Sequence, residues 1–372
     1  MARKERNMED VVDVTIDSPP IQRTEDITIC GWVDDLLVLT EPSTKDIKWL
    51  TSSLQKTFKL SPGAGDEASL FLGMKVTRDK ANKLIKLSCE KSIQELLHDM
   101  ADKIDPEKTC PTPMSTSYRL ERRKAEEELV PEKIWPHRSV VGALNHLART
   151  SRPDIQLASS ELSRHLGDCA VRHVDAAKRV LYYLRQTMDL GIIFHGNQTP
   201  MRHHRLFTYS DSDWAGETDS RKSRSGHCVM MNSGPIDWYS KGQNLQTLSS
   251  CEAETVAAVE TLKTLLSLRL LLIELSVPQP GSSTMYVDNM ALHYNSHSQK
   301  QSSRSKYFQL RTEILRELTK LGRVNLTKIH TSQNISDFFT KVLAEKEFIH
   351  FRDIIMGINT EASRAMCRCL QV

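Results

Sequence analysis

The chain has 372 residues, which exceeds the usual size of one domain and predicts two or three compact units of roughly 100–200 residues each. Its 50 Lys and Arg residues nearly balance its 47 Asp and Glu residues, giving a net charge of +3. This balance excludes a uniformly basic nucleic-acid-binding chain, so contacts with nucleic acid must come from local patches.

The eight cysteines are scattered along the chain and include no Cys-x-x-Cys pair. That pattern argues against a zinc site and a secreted disulfide framework, and it fits a reducing intracellular compartment. No stretch reaches the roughly 18 apolar residues of a membrane span, and no apolar run follows the basic residues at the start. We therefore expect a soluble chain with no membrane partner.

The first residues, 1–26, are polar and are expected to form a lead-in with little structure. Residues 27–39, ITICGWVDDLLVL, then predict two strands joined by a tight turn. This turn exposes Asp34 and Asp35.

Helical spacing over 44–59 and 90–103, with a β-hairpin across 79–83 between them, makes the first unit α+β. The charged, proline-punctuated stretch 110–136 predicts a linker, with a solvated helix face as the alternative. Two helical patterns within 137–188 predict a small helical module.

The pattern changes at Leu206, and the predicted order becomes βββαβαβα. After three short strands come a long helix over 250–275, a strand at 284–288, a helix over 303–321, a strand at 323–330 and a final helix beginning near Asn334.

Four acidic residues lie where these predicted elements begin or end: Asp211, Glu254, Asp288 and Asp337. Strand ends and helix starts meet at one edge of an α/β sheet, so the four carboxylates can converge on one cleft. Convergent carboxylates repel unless a cation joins them, and hard oxygen ligands select Mg²⁺ or Mn²⁺. Two such ions about 3.5–4 Å apart can promote phosphodiester hydrolysis. Taken singly, each acid is more often a turn former or a helix cap.

Four motifs carry these acids in order: TYSDSDWAG, SSCEAETVA, YVDNMAL and IHTSQNISDFFTK. With the intervening DSRKSRSGHCVM and GPIDWYSKGQ, residues 206–341 closely resemble the RNase H domain of copia-type retrotransposon Pol polyproteins. The resemblance implies an RNase H-like mixed five-stranded sheet with flanking helices. It also implies two Mg²⁺ or Mn²⁺ ions as cofactors and an RNA–DNA hybrid as the substrate.

By the same resemblance, Asp211, Glu254, Asp288 and Asp337 are the metal ligands and catalytic residues. His330 matches a histidine that assists product release or proton transfer. A strand-end histidine bonded to the backbone is the alternative for His330.

Two further acids, Asp213 and Glu252, lie two residues from proposed ligands. Strand alternation puts Asp211 and Asp213 on the same face, so geometry does not choose between them. On a helix, residues two apart point in nearly opposite directions, so Glu252 and Glu254 cannot both reach the metals. The family pattern favours Glu254.

Basic runs at 202–205, 221–224 and 303–307 are candidates for phosphate contacts, although such runs are often only solvated surface. The sequence departs from the family at Met290, at Thr255 and at 306–311, and these departures concern the grip on the substrate. The expected nucleic-acid-binding residues are Asn289, Lys306, Arg221 and Lys222.

The upstream half carries GWVDDLLVLT, which resembles the Tyr-x-Asp-Asp hairpin of reverse transcriptases with Trp32 at the tyrosine position. LFLGMKV, CPTPMS and the helical module resemble the palm end, thumb and connection of the same family. Polymerase chemistry needs a third acid, on a strand many tens of residues before Asp34 and Asp35. Because Asp13 and Asp17 are too close in sequence to lie on that strand, we expect an incomplete polymerase without polymerase activity.

The expected function is endonucleolytic hydrolysis of the RNA strand of RNA–DNA hybrids, as part of a retrotransposon polyprotein in a cytoplasmic particle or the nucleus. The alternatives are an inert or domesticated fragment that binds nucleic acid without cutting it, and a chain that does not fold independently. The expected organisation is a polar lead-in at 1–26, a truncated reverse transcriptase palm/thumb remnant at 27–110, a linker and helical connection at 111–200, an RNase H-like domain at 201–345 and a C-terminal tail at 346–372.

Overall fold

The structure is a computed structural model that describes residues 28–32, 35–39, 44–60, 67–117, 120–196, 205–217, 219–297 and 309–358. The chain divides into two compact units, residues 1–67 and residues 68–372. Within the described residues, the first unit contains one small sheet and the second contains two.

The first unit contains an antiparallel hairpin of β1, Thr28–Trp32, and β2, Asp35–Leu39. These strands confirm the pair predicted within residues 27–39. Asp34, which was predicted to lie in the turn, and the predicted lead-in at 1–26 lie outside the described residues.

Two helices predicted from apolar spacing are confirmed, and both end earlier than predicted. They are α1, Thr44–Gln55, in the first unit and α2, Glu90–Asp99, in the second. Helix α2 carries Glu90 in its first turn, where a negative charge complements the helix dipole, and it buries Ile93.

The first sheet of the second unit is antiparallel, and it confirms the hairpin predicted across residues 79–83. Its last strand was not predicted, because a four-residue strand flanked by a helix has almost no period of its own. That strand pairs with residues more than a hundred positions earlier, so the predicted palm remnant and the connection share one sheet. In order, the strands are β3, Leu70–Phe71; β4, Met74–Asp79; β5, Leu84–Ser88; and β6, Ile192–His195.

The helical module contains three α-helices, so the prediction of two helical patterns was wrong. Pro153 opens a short 3-10 turn at Pro153–Ile155, and this turn leads directly into the middle helix. Residues 164–170, which include Gly167, then separate the middle helix from the last one. The helices are α3, His137–Thr150; α4, Gln156–Ser163; and α5, Val171–Gln186.

The described residues between 111 and 136 contain neither helix nor strand, which agrees with the linker prediction over a helix face. This segment is nevertheless fixed to the module. Leu120 and Trp135 are buried in the core, and Glu127 forms an ion pair with Arg172 of α5.

The second sheet confirms the predicted five strands and their mixed pairing. β7, β8 and β9 form an antiparallel meander, while β10 is parallel to both β7 and β11. The spatial order is β11-β10-β7-β8-β9, so β7 lies at the centre. The strands are β7, Phe207–Asp213; β8, Arg224–Met231; β9, Gly234–Gly242; β10, Ser283–Val287; and β11, Val324–Lys328.

The helix predicted near Asn334 is instead a 3-10 turn, Ile335–Phe339, which is capped by the Asn334 side chain accepting a hydrogen bond from the Ser336 backbone. The segment predicted as a tail begins with an α-helix that buries Phe348 and Phe351. No helix in the described part of the chain is long and apolar enough to cross a membrane. The flanking helices are α6, Ser250–Glu274; α7, Met290–His297; α8, Gln309–Lys320; and α9, Glu345–Ile355.

One buried core runs through the helical module and into the mixed sheet. The ring of Phe348 in α9 packs edge-on against Tyr183 in α5, with centroids 5.7 Å apart. The indole of Trp238 in β9 donates a hydrogen bond of 2.7 Å to the carbonyl of Ala148 in α3. The five-stranded sheet is therefore packed on the helical module.

Three buried histidines lie in the module: His137, His165 and His173. The rings of His165 and His173 stack with centroids 4.0 Å apart. Burial, reinforced by the charge that His173 would carry, lowers the pKa of His165 to about 4. Burial also lowers the pKa of the other two histidines. The nearest carboxylate to His165, Asp168 at 3.5 Å, only partly opposes this effect.

This burial predicts that the protein loses stability in mild acid. In the unfolded chain, His165 binds a proton below the ordinary histidine pKa of 6.5, whereas in the folded protein it stays neutral down to about pH 4. The free energy of unfolding therefore falls as pH falls through this window. His165→Phe keeps a stacking ring without a titrating nitrogen. The difference in thermal midpoint between about pH 7.5 and about pH 5 should therefore shrink in this variant. An equal difference in both proteins would contradict the assignment.

Candidate metal centre

Three carboxylates converge at one edge of the mixed sheet. They belong to Asp211 in β7, Glu254 in α6 and Asp288 directly after β10, and an oxygen from each lies within 4.8 Å of the others. The parallel register that pairs Tyr286 with Tyr209 brings Asp288 beside Asp211 two residues later. The sequence predicted this meeting of strand ends and helix start.

The fourth predicted acid, Asp337, reaches the same corner from the 3-10 turn and is joined to Asp211 by neighbouring side chains. Lys341 Nζ lies 2.9 Å from Asp337 Oδ1 and 3.3 Å from Asp211 Oδ2. The Thr340 hydroxyl donates a hydrogen bond to Asp211 Oδ2.

Gly226 in β8 allows this close approach. A Cβ atom at Gly226 would lie 2.7 Å from Thr340 Cγ2 and 2.8 Å from Phe339 Cβ, which is too close for an ordinary contact. Because β8 pairs with β7 at Gly226 and Asp211, any larger residue would push the 3-10 turn away from Asp211. A glycine in the sheet thus positions Asp337 and Lys341.

The site is short of positive charge. Burial and the charges of Asp211 and Asp288 raise the pKa of Glu254 well above its ordinary value. Burial and Asp211 likewise raise the pKa of Asp337 to about 8, although Lys341 opposes this. Like charges at such separations cost roughly 3–4 kcal/mol per pair at the effective dielectric of a protein site. A cation would relieve this cost.

Glu254 Oε2 is buried and has no hydrogen-bond partner among the described residues. A buried carboxylate oxygen without a partner is costly unless something binds it. The carboxylates of Glu254, Asp211 and Asp288 together form the all-oxygen donor set that suits Mg²⁺ or Mn²⁺. The residues present therefore fit a divalent cation.

The two near-duplicate acids lie in different environments. Glu252 accepts a hydrogen bond of 2.8 Å from the Leu248 backbone, and its own backbone donates to the N-cap Ser249. It thus completes the start of α6, as in a capping box. Asp213 lies against Gly216, where a Cβ atom would be 1.8 Å from Asp213 Oδ2. The carboxylates that converge are those of Asp211 and Glu254.

His330 is exposed and caps the short turn after β11, where its Nδ1 accepts a hydrogen bond from the Ser332 backbone. This contact matches the alternative of a strand-end histidine bonded to backbone. Asn289 caps α7 by accepting from the Leu292 backbone, and Met290 beside it is exposed.

Of the predicted basic contacts, Arg221 is exposed and has a left-handed backbone, with φ of 55°, and Lys222 follows it in the same turn. Lys306 lies outside the described residues. The expected contact of Arg221 and Lys222 with nucleic acid stays a prediction.

A cavity of about 380 Å³ adjoins the site and was not predicted. It lies between the segment around Ser115, helix α4 and the mixed sheet, and Lys341 and Asp213 contribute to its wall. The arginines in the cavity wall form ion pairs with carboxylates. Arg224 of β8 pairs with Glu161 of α4, and Arg164 pairs with Glu217. The first of these ion pairs links the helical module to β8.

The chain is similar to transposon Pol polyproteins along most of its length. It is 30% identical over 333 residues to the retrovirus-related Pol polyprotein from transposon TNT 1-94 of Nicotiana tabacum, covering 88% of this chain and 24% of the relative. It is 31% identical over 320 residues to the Pol polyprotein from transposon RE2 of Arabidopsis thaliana, covering 86% and 21%. The chain thus spans about a quarter of the length of these curated relatives.

A shorter stretch of 128 residues is 41% identical to secreted RxLR effector protein 161 of Plasmopara viticola, covering 34% of this chain and 87% of that protein. No protein-family model matches the chain. Ribonuclease H1 of Halobacterium salinarum NRC-1 aligns at 12% identity over 37% of this chain and 94% of that structure, with a TM-score of 0.28. Because this TM-score is low, the candidate metal centre is assigned from the positions of its own side chains and not from the similarity to this structure.

Three observations are consistent with one class of protein. They are the mixed sheet, the converging acids and the nearly continuous similarity to transposon proteins. The chain belongs to the retrotransposon Pol polyproteins.

The two glutamates of α6 provide a matched test of the metal centre. Glu254→Gln should raise the thermal midpoint of the metal-free protein, because it replaces a buried carboxyl group whose charged form is disfavoured by burial and by Asp211 and Asp288, and it should abolish most of the increase that Mg²⁺ causes. Glu252→Gln removes a carboxylate two residues earlier in α6, and its amide oxygen can still accept the hydrogen bond from the Leu248 backbone. Thermal melts with and without Mg²⁺ should show a normal increase for Glu252→Gln, and the reverse order would refute the assignment.

Proposed function

We propose that this chain hydrolyses the RNA strand of RNA–DNA hybrids with Mg²⁺ or Mn²⁺, as the ribonuclease H part of a retrotransposon polyprotein. The observation that carries the proposal is the buried convergence of Asp211, Glu254 and Asp288, with Glu254 Oε2 lacking a partner among the described residues. The similarity to the transposon Pol polyproteins supports the polyprotein context.

The protein's part in this reaction is to hold charge in fixed positions. Asp211, Glu254 and Asp288 would be the ligands of a bound cation, and Asp337 would add a fourth carboxylate. A divalent ion bound there would activate a water nucleophile and neutralise charge on the phosphodiester. Thr340 fixes the orientation of Asp211 through its hydrogen bond, so the ligand does not have to reorient when the cation arrives.

The surroundings favour an approach from the solvent side of the sheet edge. Asp288 is half-buried whereas Asp211 and Glu254 are buried, so the cluster opens towards Asp288. Arg221 and Lys222 are proposed to contact the phosphate backbone, and Asn289 the nucleic acid next to the site. Selection of a hybrid would depend on the 2′-hydroxyl and on the shape of the duplex.

The upstream part is proposed to be a palm and thumb remnant without polymerase activity. Asp35 begins β2, but its companion Asp34 lies outside the described residues. The polymerase hairpin therefore stays a prediction, as do the domain boundaries and the location in a cytoplasmic particle or the nucleus.

Substitution of a proposed ligand should abolish cleavage without unfolding the protein. We expect Asp211→Asn and Asp288→Asn each to lower the rate on a labelled hybrid by at least about a hundredfold, since a metal ion supplies several kcal/mol of stabilisation and each 1.4 kcal/mol is tenfold. Asp213→Asn, on the same strand face but directed at Gly216, should lower it far less.

The assay uses the full chain with Mg²⁺ or Mn²⁺, and double-stranded DNA serves as the substrate that should stay uncut. Thermal melts of each variant show whether the fold persists. If the wild-type chain cleaves no hybrid with either ion, the activity is refuted. Hybrid binding without cleavage would then identify a non-catalytic binding protein.

A further inference from the structure

Lys341 occupies an unusual position among the carboxylates. Its ammonium nitrogen lies 2.9 Å from Asp337 Oδ1 and 3.3 Å from Asp211 Oδ2, so it bridges the two acids. Asp337 is absent from the group of three whose oxygens lie within 4.8 Å of one another. The four predicted ligands are therefore divided into a converging trio and a pair joined by Lys341.

The local fold determines this bridge. Lys341 lies four residues after Asp337, and its backbone donates a hydrogen bond of 2.9 Å to the Asp337 carbonyl. This places both side chains on the same side of the turn, which Gly226 allows to approach the sheet.

The ammonium group of Lys341 is positively charged in this environment. An ordinary lysine side chain is a cation at neutral pH, and both groups that its ammonium contacts here are carboxylates. An ammonium ion and a divalent ion repel each other strongly at contact distance, so they cannot both fit between Asp211 and Asp337.

We propose that Lys341 is a positioning residue that holds the place of a second divalent ion between Asp211 and Asp337, so that the ions bind in order. This inference rests on the proposed function. The first ion binds to Asp211, Glu254 and Asp288, while the second binds only when the Lys341 side chain leaves Asp337.

The structure provides room for the displaced side chain. The Lys341 side chain is 36% exposed, whereas those of Asp211 and Asp337 are 1% and 8% exposed. It also borders the cavity of about 380 Å³. The lysine can therefore move into the cavity while the two carboxylates stay fixed.

The test is Mn²⁺ binding to the full chain, measured by calorimetry without nucleic acid. Lys341→Met removes the ammonium and keeps an unbranched side chain, while the control Lys341→Arg keeps the charge. We expect the second ion to bind at least about tenfold more tightly to Lys341→Met than to the wild type, a size typical of coupling between neighbouring sites. Lys341→Arg should resemble the wild type.

A second measurement separates this role from a purely structural one. In Lys341→Met the metal-free protein should melt at a lower temperature, because Asp211 and Asp337 lose their shared cation, and Mn²⁺ should raise the midpoint more than in the wild type. A lower midpoint with unchanged or weaker binding of the second ion would overturn the inference, as would the absence of any second ion in both proteins.

The outcome is independent of catalysis. Tighter second-ion binding in Lys341→Met supports the inference even if the chain cleaves no hybrid. If the wild-type chain cleaves hybrid but the variant binds the second ion as the wild type does, the proposed function stands and the inference fails.

Discussion

Mutual repulsion among buried carboxylates is the constraint on which the arrangement of the mixed sheet depends. Asp211 lies on the central strand β7, so neighbouring elements on several sides can bring a charge towards it. α6 brings Glu254, the end of β10 brings Asp288, and the 3-10 turn brings Asp337 with Lys341. Burying such a group without a cation is unfavourable, and proteins retain such unfavourable clusters mainly at functional sites.

The packing around the cluster supplies the rigidity that this strain requires. The mixed sheet is held on the helical module by the shared core, by the Trp238 hydrogen bond and by the ion pair between Arg224 and Glu161. Within the module, Arg152 is fully buried and contacts Asp154 and Thr187, while the Tyr183 hydroxyl donates to Asp154. All the polar groups named in this network have partners, so its burial costs little.

Much of the mixed sheet could be predicted from the sequence, because its strands and the long α6 have strong periods and their ends carry acids. Asp211, Glu254 and Asp288 were brought together as expected, and strand pairing explains why. The choice between Asp211 and Asp213 could not be made from alternation alone, since it depends on the chain that follows β7, where Asp213 lies against Gly216.

Other features had weak or overlooked signals. Strand β6 is too short to show a period, and its pairing with β5 is non-local. The 3-10 turn at Asn334 was taken for a helix because its cap looks the same in sequence. Helix α9 had a visible signal in the spacing of Phe348, Phe351 and Ile355, and Lys341 had one in its four-residue distance from Asp337.

The pairing of β6 also bears on how such a chain could be divided. His195 bonds to the backbone of Asn232 and to the carbonyl of Gly357, and the Ile193 backbone donates to the Met356 carbonyl. The strand before residue 196 is thus bonded to parts of the chain that follow residue 205. A protease that cut between these two positions would not separate the mixed sheet from the residues that begin at 68, because β6 and the helical module would remain joined to it by a sheet edge, a helix end and a common core.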